Sequence, residues 1–128
     1  MRLILVRHAH ADPGEPDELR PLSPRGREEA RALGERLAAE QPELVLASPL
    51  LRARETAAAI AKAAGAELRI DERLAPGAAA EDLLGAAAGG AATVVAVGHQ
   101  PDCSEIAAAL GAGERDFAPA GFAAIDVP

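Results

Sequence analysis

The sequence predicts a three-layer α/β/α fold with a mostly parallel central sheet. Short apolar runs alternate with longer stretches of helical periodicity, which is the pattern of strand–helix–strand units. Two of these runs, LILV at 3–6 and VVAV at 94–97, are apolar at every position, as expected of central strands buried on both faces. The chain has 128 residues, a common size for one domain, so we expect a single domain over 1–128.

Five segments are predicted to be strands, because each is a short apolar or β-rich run bounded by turn residues. The predicted strands are 2–6, 43–47, 67–70, 93–97 and 122–127. The last of them follows a stretch rich in Pro and Gly. We therefore expect it to run antiparallel to the others at an edge of the sheet.

Four helices are predicted, over 24–40, 49–64, 80–87 and 101–110. The first begins at Ser23-Pro24, with Ser as the N-cap and Pro in the first helical position. Ser48-Pro49 repeats this signal and predicts the start of the second helix. Gly65 closes that helix, because glycine readily adopts the left-handed conformation found at helix ends.

Composition excludes several classes of partner. Thirteen Lys and Arg face twenty Asp and Glu, a net charge of −7, so we expect no binding to nucleic acid or to an anionic membrane. No apolar run approaches the roughly 20 residues of a membrane span. We expect a soluble cytoplasmic protein, monomeric by default because no aromatic patch is available.

The single cysteine, Cys103, excludes an internal disulfide and is expected to be buried and inert.

Cationic and imidazole side chains follow three of the predicted strands. Arg7 and His8 follow LILV, Arg52 lies early in the helix after LVLA, and His99 follows VVAV with one glycine between. Ligands of α/β sheets bind at the carboxyl ends of the strands. If the three strands are neighbours, two arginines and two histidines converge there, and two helix N-termini favour an anion at the same edge.

The histidines also allow a metal site. His8 and His10 have an H-x-H spacing, and His99 could be a third zinc ligand. Two adjacent guanidinium groups would repel a dication, however, and no carboxylate clearly completes the site. We therefore expect no metal and no other cofactor. The loop over 11–23 is acidic and directly follows the first strand, and it is either functional or simply solvated.

Four motifs together resemble a known family. They are LVRHAHA at 5–11, RPLSPRG at 20–26, ASPLLRARETA at 47–57 and VGHQP at 97–101. Their order and spacing are similar to those of the histidine phosphatase superfamily, which has the phosphoglycerate mutase-like fold. The closest resemblance is to its short SixA-type phosphohistidine phosphatases. Ala9 stands where the superfamily more often has glycine, a variant that the short branch also shows.

The resemblance implies roles for the converging residues. His8 would be the nucleophile and would be transiently phosphorylated, with a backbone carbonyl holding its other ring N–H. Arg7 and Arg52 would bind the phosphoryl oxygens, and His99 would donate a hydrogen bond to one of them. Glu72 is the only placed candidate for the acid that protonates the leaving group in larger members of the family.

The resemblance also implies a function. We expect a metal-independent phosphatase that removes phosphate from phosphohistidine in a protein. One alternative is a phosphatase for small phosphomonoesters, such as sugar phosphates or nucleotides. A second alternative is a noncatalytic phosphate-binding regulatory module. Arg20 and Gly26 also match the family pattern, and we interpret Arg20 as ordering the loop over the pocket and Gly26 as allowing close helix packing.

Overall fold

One five-stranded sheet forms the centre of the molecule. The computed structural model describes residues 1–128. The strands are β1 (Arg2–Arg7), β2 (Leu44–Ala47), β3 (Glu67–Ile70), β4 (Thr93–Gly98) and β5 (Phe122–Asp126). Their order across the sheet is β3-β2-β4-β1-β5. β3, β2, β4 and β1 are parallel neighbours, and β5 pairs antiparallel with β1 at the edge, as predicted.

Helices cover the two faces of this sheet. They are α1 (Pro24–Ala38), α2 (Leu51–Ala64), α3 (Ala80–Ala87) and α4 (Asp102–Ala109), with short 3-10 turns over Asp17–Leu19 and Glu72–Leu74. Side chains of α1 and α2 pack in one apolar cluster, and those of α3 and α4 pack in another on the opposite face. The predicted three-layer α/β/α fold is therefore confirmed. None of the helices combines the length and the apolar character needed to cross a membrane.

Alternation along the central strands explains why they are apolar throughout. Leu3 and Leu5 of β1 belong to the cluster under α3 and α4, whereas Ile4 and Val6 belong to the cluster under α1 and α2. All four side chains are at most 2% exposed. A strand with a helical layer on each side needs an apolar side chain at every position, since successive residues face opposite layers.

Of the two Ser-Pro helix starts predicted from the sequence, the first is confirmed and the second is wrong. Ser23 Oγ accepts the Gly26 N–H at 3.0 Å and caps α1, with Pro24 in the first position. α2 instead begins at Leu51, and its N-cap position is occupied by Leu50, which has no side-chain cap. Ser48 lies outside this helix, and its Oγ is 2.7 Å from His99 Nε2. Gly65 ends α2 in the left-handed conformation, with φ of 65°.

The other helix ends shift by only one or two residues. α1 ends at Ala38 rather than at Glu40, and α4 spans Asp102–Ala109 rather than beginning at Pro101 and ending at Leu110. α3 coincides with the predicted range. Frayed ends and single turns of irregular hydrogen bonding make such boundaries hard to place from sequence.

Gly26 brings the first turn of α1 against the chain that leaves β1. A Cβ at this position would lie 1.8 Å from the carbonyl oxygen of His10, far inside van der Waals contact. The same carbonyl accepts the Ser23 N–H at 3.0 Å, so the loop is tied to the helix by backbone contacts. The predicted close packing at Gly26 is confirmed, and the contact is with the backbone of His10.

Gly26→Ala should therefore destabilise the fold. The added methyl group has to displace backbone rather than a flexible side chain, and overpacking of this kind costs about 1–3 kcal/mol. Gly85→Ala in α3 is the matched control. Its Cβ would meet only the far end of Arg73 at 3.2 Å, and alanine is the better helix former by about 0.5–1 kcal/mol. Urea unfolding that shows the two variants shifting in the same direction would contradict this.

Candidate active site

The register of the parallel strands sets the site. Arg7 of β1 pairs with Gly98 of β4, and the next residue, His8, donates its backbone N–H to the Gly98 carbonyl at 3.0 Å. On the other side of β4, Ser48 donates its backbone N–H to the Val97 carbonyl at 3.1 Å. The ends of β1, β4 and β2 are thus adjacent and level. The predicted convergence of these strand ends is present in the structure.

His8 and His99 form a pair of neighbouring rings. Their ring centroids are 5.3 Å apart, with 58° between the ring planes. His8 Nδ1 lies 2.7 Å from the carbonyl oxygen of Ala9. A carbonyl can only accept, so Nδ1 carries the proton and Nε2 of the neutral ring has a free lone pair. The expected backbone carbonyl partner of His8 is therefore present and is that of Ala9.

Burial keeps both imidazoles uncharged. It lowers the pKa of His8 to about 4, and the positive charges of Arg52, Arg7 and Arg20 act in the same direction against the Ala9 hydrogen bond. Burial also lowers the pKa of His99 to about 4, assisted by His8 and Arg52. At neutral pH the site therefore combines neutral imidazoles with permanently charged guanidinium groups.

Arg7 and Arg52 approach the site from two elements. Arg7 is the last residue of β1, and its Nη1 donates to the Phe117 carbonyl at 2.9 Å. Arg52 lies in the first turn of α2 and is only 7% exposed. Its Nη1 donates to the Asp17 carbonyl at 2.9 Å and its Nη2 to Asp17 Oδ2 at 3.2 Å. Each guanidinium is therefore held in a fixed orientation.

The acidic loop takes part in this arrangement through Asp17. Arg20 donates from Nη1 to Asp17 Oδ1 at 3.1 Å and from Nε to the Asp12 carbonyl at 2.9 Å. The hydrogen bond from Arg20 lowers the pKa of Asp17, and Arg52 adds to this effect. The contacts fit the predicted loop-ordering role of Arg20. Sequence reasoning missed Asp17, and its only signal was an acid three residues before Arg20.

Sequence reasoning also missed Thr56, although it lies within the ASPLLRARETA motif at 47–57. Its Oγ1 accepts the Ala9 N–H at 3.0 Å and donates to the Arg52 carbonyl at 2.8 Å. Thr56 is fully buried, so both bonds are shielded from water. The side chain ties the segment after β1 to the first turns of α2. Its position one helical turn after Arg52 was the available signal.

His10 does not join the other two histidines. Its Nδ1 lies 2.6 Å from Ser23 Oγ at the start of α1. No group of three or more His, Cys, Asp or Glu side chains is arranged as a set of metal ligands. Cys103 is buried, and burial raises the pKa of its thiol to about 12, in agreement with an inert cysteine.

Glu72 lies in the 3-10 turn after β3 and is exposed. Its carboxylate forms no hydrogen bond or ion pair, and so it is not joined to His8, Arg52 or His99. Its neighbour Asp71 instead caps the turn and pairs with Arg73 at 2.8 Å. The structure therefore holds the two arginines and the two histidines together and leaves Glu72 in a separate turn.

Comparison with known proteins identifies the family. The family model for the histidine phosphatase superfamily (branch 1) matches residues 3–76, more than half of the chain. This match covers Arg7, His8 and Arg52. The chain therefore belongs to the histidine phosphatase superfamily.

Two solved structures are similar over almost the whole chain. The protein histidine phosphatase SixA, in complex with tungstate, has a TM-score of 0.87 and 25% identity, covering 99% of this chain and 88% of its own. A proposed SixA phosphohistidine phosphatase from Nakamurella multipartitia has a TM-score of 0.80 and 31% identity, covering 96% of this chain and 82% of its own. The phosphoglycerate mutase-like fold predicted from the sequence is confirmed.

A curated relative carries a different name. Glucosyl-3-phosphoglycerate phosphatase of Mycolicibacterium vanbaalenii is 37% identical over 78 residues. The match covers 57% of this chain and 35% of that protein, so this chain spans only about a third of the relative's length. The relatives agree on phosphatase chemistry and differ in the substrate their names state.

A titration of the three histidines tests the electrostatics of the site. Proton NMR should give midpoints near pH 4 for His8 and His99, assigned with His8→Gln and His99→Gln. Unfolded imidazoles titrate near 6.5, so the unfolded chain binds more protons between these pH values. The stability contributed by the two neutral rings is full above about pH 6.5 and is lost as the pH falls toward 4. A midpoint near 6.5 for either ring would contradict its burial as a neutral group.

Proposed function

We propose that the chain is a metal-independent phosphatase that acts through a phosphohistidine on His8 and removes phosphate from phosphohistidine in a protein. The observation that carries the proposal is the state of His8. Its Nδ1 is held by the Ala9 carbonyl, its pKa is lowered to about 4, and it lies among guanidinium groups. A neutral imidazole with a free Nε2 is a nucleophile at neutral pH.

In the proposed reaction, the Nε2 lone pair of His8 attacks phosphorus and the bond from phosphorus to the leaving group breaks. Arg7 and Arg52 bind the phosphoryl oxygens, and their planar groups can each form two parallel hydrogen bonds. His99 donates to a further oxygen, an interaction that strengthens as charge shifts in the transition state. Water then attacks phosphorus, which returns His8 and releases inorganic phosphate.

Two arginines supply the positive charge in this proposal. Positioning and electrostatic stabilisation make up most of the catalysis of phosphoryl transfer. Fixed guanidinium groups can provide both without a metal ion. Their orientation is supported by the hydrogen bonds of Arg7 to Phe117 and of Arg52 to Asp17.

Leaving-group chemistry supports phosphohistidine as the substrate. An alkoxide is about as basic as hydroxide, and it needs a proton as it leaves. An imidazole protonated on its other nitrogen leaves as a neutral molecule. Glu72 forms no hydrogen bond or ion pair with the site, and Arg20 and Arg52 lower the pKa of the Asp17 carboxyl, which keeps it a carboxylate rather than an acid. A site without a placed acid is better suited to breaking a P–N bond. The name of the SixA structure agrees with this choice.

One observation favours the small phosphomonoester alternative. The curated relative from Mycolicibacterium is named for a sugar-phosphate substrate, and the match includes a large part of this chain. A noncatalytic phosphate-binding module is a weaker alternative. Binding needs cations and donors, and it does not need an imidazole with its proton fixed on one nitrogen.

Trapping the covalent intermediate tests the proposed function. The chelator-treated enzyme, mixed with a ³²P-phosphohistidine protein and quenched in base, should carry label that is stable in base and lost in acid. The label should map to His8, and the rate should be unaffected by the chelator. His10→Ala is the matched control, since His10 bonds Ser23 and lies outside the site. Label that persists in His8→Ala would overturn the assignment, and loss of activity on chelation that zinc restores would favour a metal mechanism.

Glu72→Gln discriminates between the two substrate classes. If phosphohistidine is the substrate, its turnover should be nearly unchanged in the variant, because the leaving imidazole needs no acid. A general acid would contribute ~10²–10⁴-fold. A loss in that range, seen on sugar phosphates or nucleotides that the wild type cleaves faster than phosphohistidine, would make the small phosphomonoester function the correct one.

Glu67→Gln provides the control for removing one exposed negative charge from the same edge strand, at its opposite end. Glu67 is exposed at the start of β3, and its carboxylate pairs only with Arg69. Both variants should be compared in kcat/KM on the same two substrates. Equal effects of the two substitutions would show that general electrostatics, rather than proton transfer, accounts for any change.

A further inference from the structure

We propose that Ser48 is a positioning residue of this site, whose hydroxyl fixes His99 as the tautomer protonated on Nδ1. His99 would then donate to the phosphoryl group through Nδ1. The donation from His99 to a phosphoryl group rests on the proposed function, whereas the tautomer of His99 is a property of the protein without substrate. Nothing in the sequence pointed to this role, since the signal at Ser48-Pro49 indicated a helix cap.

The hydrogen bonds of Ser48 define which ring nitrogen holds the proton. Its Oγ lies 2.7 Å from His99 Nε2 and 3.3 Å from the backbone nitrogen of Leu50, and the side chain is completely buried. The Leu50 N–H can only donate to this oxygen. The single hydroxyl proton of Ser48 therefore has one acceptor among its contacts, Nε2 of His99, and a buried hydroxyl is rarely left without one.

A neutral ring that accepts at Nε2 carries its proton on Nδ1. His99 is neutral at pH 7, because burial lowers its pKa to about 4. Its Nδ1 is buried and has no hydrogen-bond partner in the protein. Buried N–H groups are almost always paired in folded proteins, so an unpaired one beside a nucleophile indicates a ligand acceptor. The ring centroid of His8 is 5.3 Å away, which places a phosphoryl group on His8 beside His99.

The other tautomer of His99, protonated on Nε2, would repel a phosphoryl group rather than attract it. If Nε2 carried the proton and donated to Ser48, the hydroxyl of Ser48 would have no acceptor. Nδ1 would then be a bare lone pair and would repel the lone pairs of a phosphoryl oxygen. The tautomer of His99 therefore determines whether this ring attracts or repels the phosphoryl group. Ser48 supports the attractive form, as second partners of catalytic histidines commonly do.

Nitrogen NMR of the histidine rings tests the tautomer directly. The chain has only three histidines, so long-range proton–nitrogen spectra of ¹⁵N-labelled protein can be assigned with His8→Gln, His10→Gln and His99→Gln. We expect His99 to have a protonated Nδ1 and a bare Nε2. In Ser48→Ala the ring should shift toward a mixture of tautomers, and Ser48→Thr should restore the wild-type pattern. A wild-type His99 protonated on Nε2 would overturn the proposal.

Kinetics supply the second readout. Ser48→Ala should lower kcat about tenfold, the effect of losing one net hydrogen bond, with a smaller change in KM. Ser104→Ala is the matched control, because it removes a hydrogen-bonded serine hydroxyl of α4 that bonds Gln100 and Arg115. Unchanged kcat and an unchanged tautomer in Ser48→Ala would overturn the role of Ser48. The Nδ1–H tautomer in a wild-type protein that forms no phosphoenzyme would confirm the assignment and overturn the proposed function.

Discussion

The parallel pairing of β4 between β1 and β2 is the constraint on which the site depends. Each of these strands ends at the same level, because Arg7 pairs with Gly98 and Ala47 pairs with Val97. A slip of one residue in either pair would turn every following side chain to the opposite face of the sheet. Register is well fixed here, since both faces of the strands are buried under helices. The apolar core of the sheet therefore fixes the positions of the polar side chains that follow its strands.

Two electrostatic effects at the carboxyl ends of the strands act in the same direction on His8 and His99. The fold buries His8 and His99, and burial favours their neutral forms. It also brings guanidinium groups close to them, which disfavours an imidazolium still further. The neutral ring that results is the form needed for nucleophilic attack. The same positive charges that keep His8 neutral would bind the anionic phosphoryl group, so one arrangement serves both purposes.

The sheet and the strand-end positions of Arg7, His8 and His99 were predictable because they depend on local signals in the sequence. An apolar run followed at once by Arg7-His8, or by Gly98-His99, identifies a strand end without knowledge of the fold. The partner of Ser48 could not be predicted in this way. Ser-Pro is a good helix start, and the competing contact with His99 comes from a strand that is distant in sequence and adjacent only in space.

The role of Asp17 in the acidic loop over 11–23 could not be predicted from local sequence either. Its composition is that of a solvated segment, and nothing local distinguishes Asp17 from its acidic neighbours. The contact with Arg52 depends on the packing of the loop against the first turn of α2, a tertiary feature. Glu72 illustrates the converse, since its place after β3 was predicted from local sequence, whereas its lack of a hydrogen bond to the site is a tertiary feature.

Some buried nitrogen atoms of the site residues have no hydrogen-bond partner in the protein. Four buried side-chain nitrogens have no hydrogen-bond partner in the protein, and two of them are Arg7 Nε and His99 Nδ1. An unpaired buried donor costs free energy in the folded state, of the order of 1–3 kcal/mol each. A phosphoryl group could accept from both, which recovers this cost on binding. Because the donors are already fixed by β1, by β4 and by the Ser48 hydroxyl, little reorganisation is needed when charge develops on the phosphoryl oxygens. The two unpaired nitrogens are therefore consistent with a site organised in advance for an anion.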